Sequence, residues 1–167
     1  QMCIRDSYIG ILNAGYSQGF KGDIAEVIIF RNSLNEAQMQ IVHQYLNVKY
    51  GITIANDLYN PIATYVYDVA GIGRHSVGNE HTFASSAGMY LTALSGVTNG
   101  DYVFTSHNNA DNSVSDFTTD DIPSGVEERY NRIWYVSKEG APTARIAFDF
   151  SEATGTTKYP ANHTNYV

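Results

Sequence analysis

A chain of 167 residues with 10 Lys+Arg against 17 Asp+Glu has a formal charge of −7. It has no basic stripe to neutralise phosphates, which argues against nucleic acid and against an anionic membrane surface as partners. Charged residues are 16%, with 13 Tyr and 7 Phe, so a core can be buried and charge-driven disorder is excluded.

The single cysteine, Cys3, excludes an internal disulfide framework and a cysteine zinc site. It lies in Met2-Cys-Ile-Arg-Asp-Ser7, a string resembling the adapter-derived ends of metagenomic reading frames rather than a signal peptide. Residues 1–7 are therefore set aside as an artefact. No apolar run approaches the roughly 18 residues of a membrane span.

Residues 8–12 predict a short strand, and Asn13 to Gly19 a turn-rich connection. Ile24-Ala-Glu-Val-Ile-Ile-Phe30 is apolar on both faces, which predicts a buried sandwich strand. Ser33-Leu-Asn-Glu36 reads as a capping box with Ser33 as N-cap. The helix it opens carries Leu34, Ala37, Ile41, Tyr45 and Val48 on one stripe and ends at Gly51, where a left-handed cap residue belongs. Ile52 is placed to fold back as the cap's apolar partner. A boundary is expected near residue 57.

Beyond it, alternating segments over 64–70, 81–86, 89–94, 101–106, 129–138 and 143–150 predict strands. Gly71-Ile-Gly73 reads as a turn or bulge. It is not a phosphate loop, because Ser76 stands where that motif needs glycine and no helix pattern follows.

Phe20 to Phe30, Leu34-Asn-Glu-Ala37 and Gln44-Tyr-Leu-Asn-Val-Lys-Tyr-Gly-Ile52 together resemble the last strands and terminal helix of laminin-G-like, concanavalin A-like jelly-roll domains of large secreted bacterial proteins. Gln38 stands where that helix start often carries a second acidic residue. Asp68-Val-Ala-Gly-Ile-Gly-Arg74, Tyr102-Val-Phe104, His107-Asn-Asn109, Glu128 to Trp134 and Ile146 to Phe150 resemble an uncharacterised β-rich surface domain that follows such jelly rolls. His75 stands where that pattern often has an acid.

The resemblance implies a mainly β fold class. Residues 8–56 would be terminal strands plus one helix of a jelly-roll sandwich, and 57–167 a second antiparallel β domain. Both ends are expected to be cut: two strands and a helix cannot cover a two-sided apolar run, and Asn165-Tyr-Val167 reads as the opening of a strand that stops.

Chemistry-bearing patterns are few. Asn109, Asp111, Ser113 and Asp116 make an oxygen-rich loop and are the candidate Ca²⁺ ligands, although the EF-hand spacing fails at Val114. His75, His81 and His107 lack metal-ligand spacing. Glu127 and Glu128 are adjacent, so on a strand they face opposite sides. No nucleophile-elbow or zincin motif occurs, and no cofactor beyond Ca²⁺ is expected.

Tyr65, Tyr67, Tyr102 and Trp134 are the candidate rings for stacking on a sugar. The expected function is a non-catalytic binding or adhesion module of a secreted or cell-surface bacterial multidomain protein. Its expected partners are a glycan or a surface protein, along with neighbouring domains of its own polypeptide. The alternative is an accessory fragment of a polysaccharide-active enzyme whose catalytic residues lie outside this chain.

Overall fold

The computed structural model describes residues 22–109, 117–126 and 128–148, with the Leu94 side chain excepted. The chain forms two compact units that divide between Ser33 and Leu34. The boundary expected near residue 57 is therefore not where the units separate.

In the first unit, residues 23–30 form neither helix nor strand. Ile24, Val27, Ile28, Ile29 and Phe30 are all exposed, Ile29 at 84%. The buried strand expected over 24–30 is thus corrected. Branched side chains favour a strand only where a ladder and a packed surface receive them, and the described residues contain no ladder that includes this segment. The strand expected over 8–12 lies outside the described residues.

The second unit opens with α1, Glu36–Tyr50. Its N-cap is Asn35, not Ser33. The Asn35 side chain accepts from the Gln38 N–H at 2.9 Å, and the Gln38 side chain accepts from the Asn35 N–H at 3.0 Å. The capping box is thus built two residues later than expected, with an amide pair in place of Ser and Glu. At the other end Gly51 adopts φ 64. The Gly51 and Ile52 N–H groups both donate to the Asn47 carbonyl, closing the helix in the left-handed turn that glycine makes cheaply. Ile52 itself stays exposed.

Nine strands follow among the described residues: β1 Tyr67–Ser76, β2 Asn79–His81, β3 Phe83–Ser86, β4 Met89–Ser95, β5 Tyr102–His107, β6 Phe117–Thr118, β7 Arg129–Tyr130, β8 Trp134–Glu139 and β9 Thr143–Phe148. They make an antiparallel sheet in the order β2-β1-β5-β8, a second sheet β3-β4-β9 and a small β6-β7 ladder. The fold is mainly β, as expected. The predicted 129–138 strand is split, with β7 and β8 separated at 131–133.

Alternation on β5 builds the layers. Tyr102 and Phe104 face α1, packing with Ala37 and Tyr59. Val103, between them, faces the second sheet with Ile72, Met89 and Leu91. The four-stranded sheet is therefore sandwiched, helix on one face and sheet on the other.

Gly71 and Gly73 lie inside β1, paired in regular register with Phe104 and Tyr102, so the turn or bulge expected there is corrected. Their role is close approach. A Cβ on Gly71 would lie 2.7 Å from Phe104 Cδ1 and 3.3 Å from Ile41 Cγ1. The missing side chains let the aromatic rings of β5 lie flat on β1, and Tyr102 and Phe104 stack at 5.6 Å and 9°. The chain of rings continues through Tyr59 to Tyr135 and Tyr65.

The buried face of α1 also differs from the expected stripe. It is Ala37, Gln40 and Gln44, with Ile41 and Val48 alongside. Gln40 and Gln44 donate to the Asn56 carbonyl at 2.7 and 2.6 Å, and the Tyr59 N–H donates to Gln44 Oε1 at 3.1 Å. Two glutamines four positions apart thereby fasten the return loop to the helix, satisfying backbone groups that burial would otherwise strand.

Candidate functional site

One end of the sandwich gathers the chemistry. In the four-stranded sheet Tyr67 of β1 pairs with His107 of β5, and His107 with Trp134 of β8. This places an aromatic row across three strands. From Tyr67↔His107 to Ala70↔Thr105 β1 advances three residues while β5 moves two, which is one extra residue, a bulge.

Asp68 sits in that bulge with φ 50. A non-glycine residue in the left-handed region costs about 1–2 kcal/mol. What holds it is visible. The Ser86 hydroxyl donates to the Asp68 carbonyl at 2.6 Å, and the Asp68 carboxylate meets His107 Nε2 at 2.6 Å.

His107 is fully buried. The Asn109 backbone N–H donates to its Nδ1 at 3.2 Å, so Nδ1 is the acceptor nitrogen and Nε2 carries the proton given to Asp68. The ring is wedged edge-on to Trp134 at 4.7 Å, with Tyr67 at 6.2 Å on another side. Both nitrogens are engaged. In this geometry His107 orients the carboxylate and does not shuttle a proton.

Asp68 is about half exposed. The hydrogen bond from His107 holds its carboxyl below the usual carboxylate range, against the opposing effect of burial, with Arg132 and Lys49 adding positive charge. Arg132 is itself buried. Its guanidinium donates to the Ala87 carbonyl at 3.3 Å and to the Tyr130 hydroxyl at 2.8 Å, fixing it on the β3–β4 turn. The outcome is an ionised carboxylate hydrogen-bonded to His107, with Tyr67, the preceding residue and 38% exposed, packed against the same imidazole.

The residues singled out by sequence divide. Tyr67 and Trp134 come together around His107. Tyr65 packs on Tyr135 at 5.7 Å, away from that row. Tyr102 is corrected as a ligand ring: at 2% exposure it lies in the core under α1, because its place on β5 points it at the helix. Its hydroxyl is buried without a hydrogen-bond partner among the described residues.

Of the Ca²⁺ candidates, Asn109 places its backbone N–H on His107, while Asp111 and Asp116 lie outside the described residues. Among the described residues no group of three or more His, Cys, Asp or Glu is placed to hold a metal ion. No described helix is long and apolar enough to cross a membrane.

Sequence reasoning missed Asp68 and His107 as a pair. They are 39 positions apart, and the signal was only an aspartate directly before an apolar, glycine-rich strand. Two open recesses, of about 330 and 420 Å³, flank α1, lined by Gln40, His43 and Asn56 and by Asn47, Tyr59 and Asn60 respectively. Neither gathers ionised side chains. No protein-family model matches the chain, and no curated protein or solved structure matches it either.

Proposed function

We propose that this chain is a non-catalytic binding module of a secreted or cell-surface protein, recognising a glycan or a surface protein. One observation carries the reading: the end of the β sandwich presents Tyr67 and a hydrogen-bonded Asp68 to solvent, while the histidine behind them has both nitrogens occupied. A fixed carboxylate beside an accessible ring suits recognition, because ordering it costs little when a ligand arrives. An imidazole with no free nitrogen is unsuited to acid–base chemistry.

The placement outside the cell rests on the resemblance of residues 8–54 to the end of a laminin-G-like jelly roll, which we retain as part of the proposal. The decisive experiment labels the full chain and applies it to a glycan array and an array of extracellular-matrix proteins. Saturable retention on either, with dissociation constants at or below about 1 mM, is the expected result. Retention on neither overturns the reading.

A further inference from the structure

We propose that the β1 bulge is a neutral-saccharide site. Asp68 accepts hydroxyl hydrogen bonds beside the ring of Tyr67, and His107 serves as a positioning residue. This rests on the binding-module reading and narrows it to one place and one ligand class.

The first ground is the cost the fold bears at Asp68. A bulge, a left-handed aspartate at φ 50 and a fully buried histidine combine to aim one half-exposed carboxylate. A bulge re-aims a side chain, and strain of this kind collects where a side chain must be presented rather than merely tolerated. His107 occupies Oδ2 at 2.6 Å, and a carboxylate has about four acceptor positions. Acceptor capacity therefore remains for a donor arriving from solvent.

The second ground selects the ligand. A ring face and an adjacent fixed carboxylate match the two surfaces of a pyranose, its C–H face and its hydroxyl edge. An anionic ligand is repelled by Asp68 and by a chain of net charge −7. Arg132 holds the Ala87 carbonyl, next to the Ser86 hydroxyl that binds the Asp68 carbonyl, and it already supplies Asp68 with positive charge. A neutral polyol donating hydroxyls needs no further countercharge there, and a lysine peptide tests the cationic alternative.

The test titrates the full chain with neutral gluco-, xylo- and manno-tetraoses, with a lysine tetrapeptide and an oligogalacturonate as charged comparisons. Amide shifts are followed by NMR. At least one neutral tetraose is expected to shift residues 67, 68 and 107–109 saturably. Tyr67→Ala and Asp68→Gly should each weaken that binding about tenfold or more. Asp68→Gly relaxes the left-handed backbone but leaves the buried His107 Nε2–H without its acceptor, so its circular dichroism is recorded alongside, and Asp68→Asn, which keeps an acceptor oxygen for His107 but not the charge, should weaken the binding as well.

His107→Leu, which takes the donor away, supplies the positioning readout, and His107→Gln, whose amide can still donate to Asp68, is its conservative control. The Asp68 carboxylate meets His107 of β5 at 2.6 Å, and positive charge reaches it at longer range from Arg132 in the β7–β8 connection and Lys49 on α1. With His107 present, affinity should hold as pH falls through the ordinary carboxylate range. In His107→Leu it should fall within that range, as Asp68 takes up its proton earlier.

A tetraose that binds Tyr67→Ala and Asp68→Gly as well as the parent chain overturns this site and leaves the binding-module reading standing. Binding of the lysine peptide in place of the tetraoses overturns the ligand class. No shift with any tetraose up to about 10 mM overturns the inference, while the array screen judges the broader reading separately. A pH profile identical in His107→Leu and the parent removes the positioning role.

Discussion

Asp68 carries a pH signature whose sign follows from its partners. Its folded-state carboxyl titrates below the ordinary value because His107 donates to it. The pair's contribution to stability is therefore present above the ordinary carboxylate pKa of about 3.9. It is lost as pH falls through the lower, folded value. The stability gap between the chain and Asp68→Asn should thus narrow as pH falls through that acid window, as urea melts at stepped pH would show. At the same scale, Gly71 has no room for a methyl, with Phe104 and Ile41 against it. Gly71→Ala should lower unfolding free energy by about 1–3 kcal/mol, measured by chemical denaturation. Nothing in Gly71-Ile-Gly73 marks it as strand rather than turn. Glycine is a turn residue by local preference, and only the ring stacked on it explains why β1 needs it. Burial pushes the Tyr59 hydroxyl up to about 12, with Ser106 opposing the shift by hydrogen bonding at 2.6 Å.

The helix shows where local signals end. Its existence and its stop at Gly51 were legible, since each is a property of contiguous residues. Its N-cap was not. Ser33-x-x-Glu36 and Asn35-x-x-Gln38 both satisfy capping-box chemistry, and the second prevails where Asn35 Nδ2 also reaches the Glu80 carbonyl at 3.0 Å. A cap that ties the helix to β2 gains what a cap in isolation lacks. Asn35→Ala should therefore cost about 1 kcal/mol, while Ser33→Ala should cost nearly nothing, a difference that thermal melts of the two variants would resolve. The buried glutamines were equally hidden. Polar residues on a helix read as its solvent face, and only the return loop, bringing the Asn56 carbonyl and the Tyr59 N–H onto that face, reverses the expectation. Gln44→Ala removes two hydrogen bonds, although Gln40 still serves the Asn56 carbonyl and Asp57 the Tyr59 N–H, and should cost about 0.5–1.5 kcal/mol for each bond lost.

At the scale of the molecule, α1 belongs with the sheet that follows it. Ala37, Tyr59, Tyr102 and Phe104 form one cluster, so cutting at residue 57 would uncover a wall of rings. A chain beginning at Leu34 should keep a cooperative unfolding transition, and one beginning at residue 57 should lose it. Each large apolar side chain left uncovered forfeits about 1.5–3 kcal/mol, against a domain stability of about 5–15 kcal/mol. Circular dichroism melts of the two chains would decide the matter. By itself the sequence determined the β-rich class, most strand positions and one capped helix, because alternation, helical spacing and turn residues act over a few positions. Tertiary structure alone decided which sheet the helix covers, that two glycines serve ring packing, and that Asp68 meets His107. Those outcomes depend on strand register between segments far apart in the chain, and a one-residue bulge is enough to turn an aspartate from an unremarkable strand residue into a fixed, solvent-facing anion.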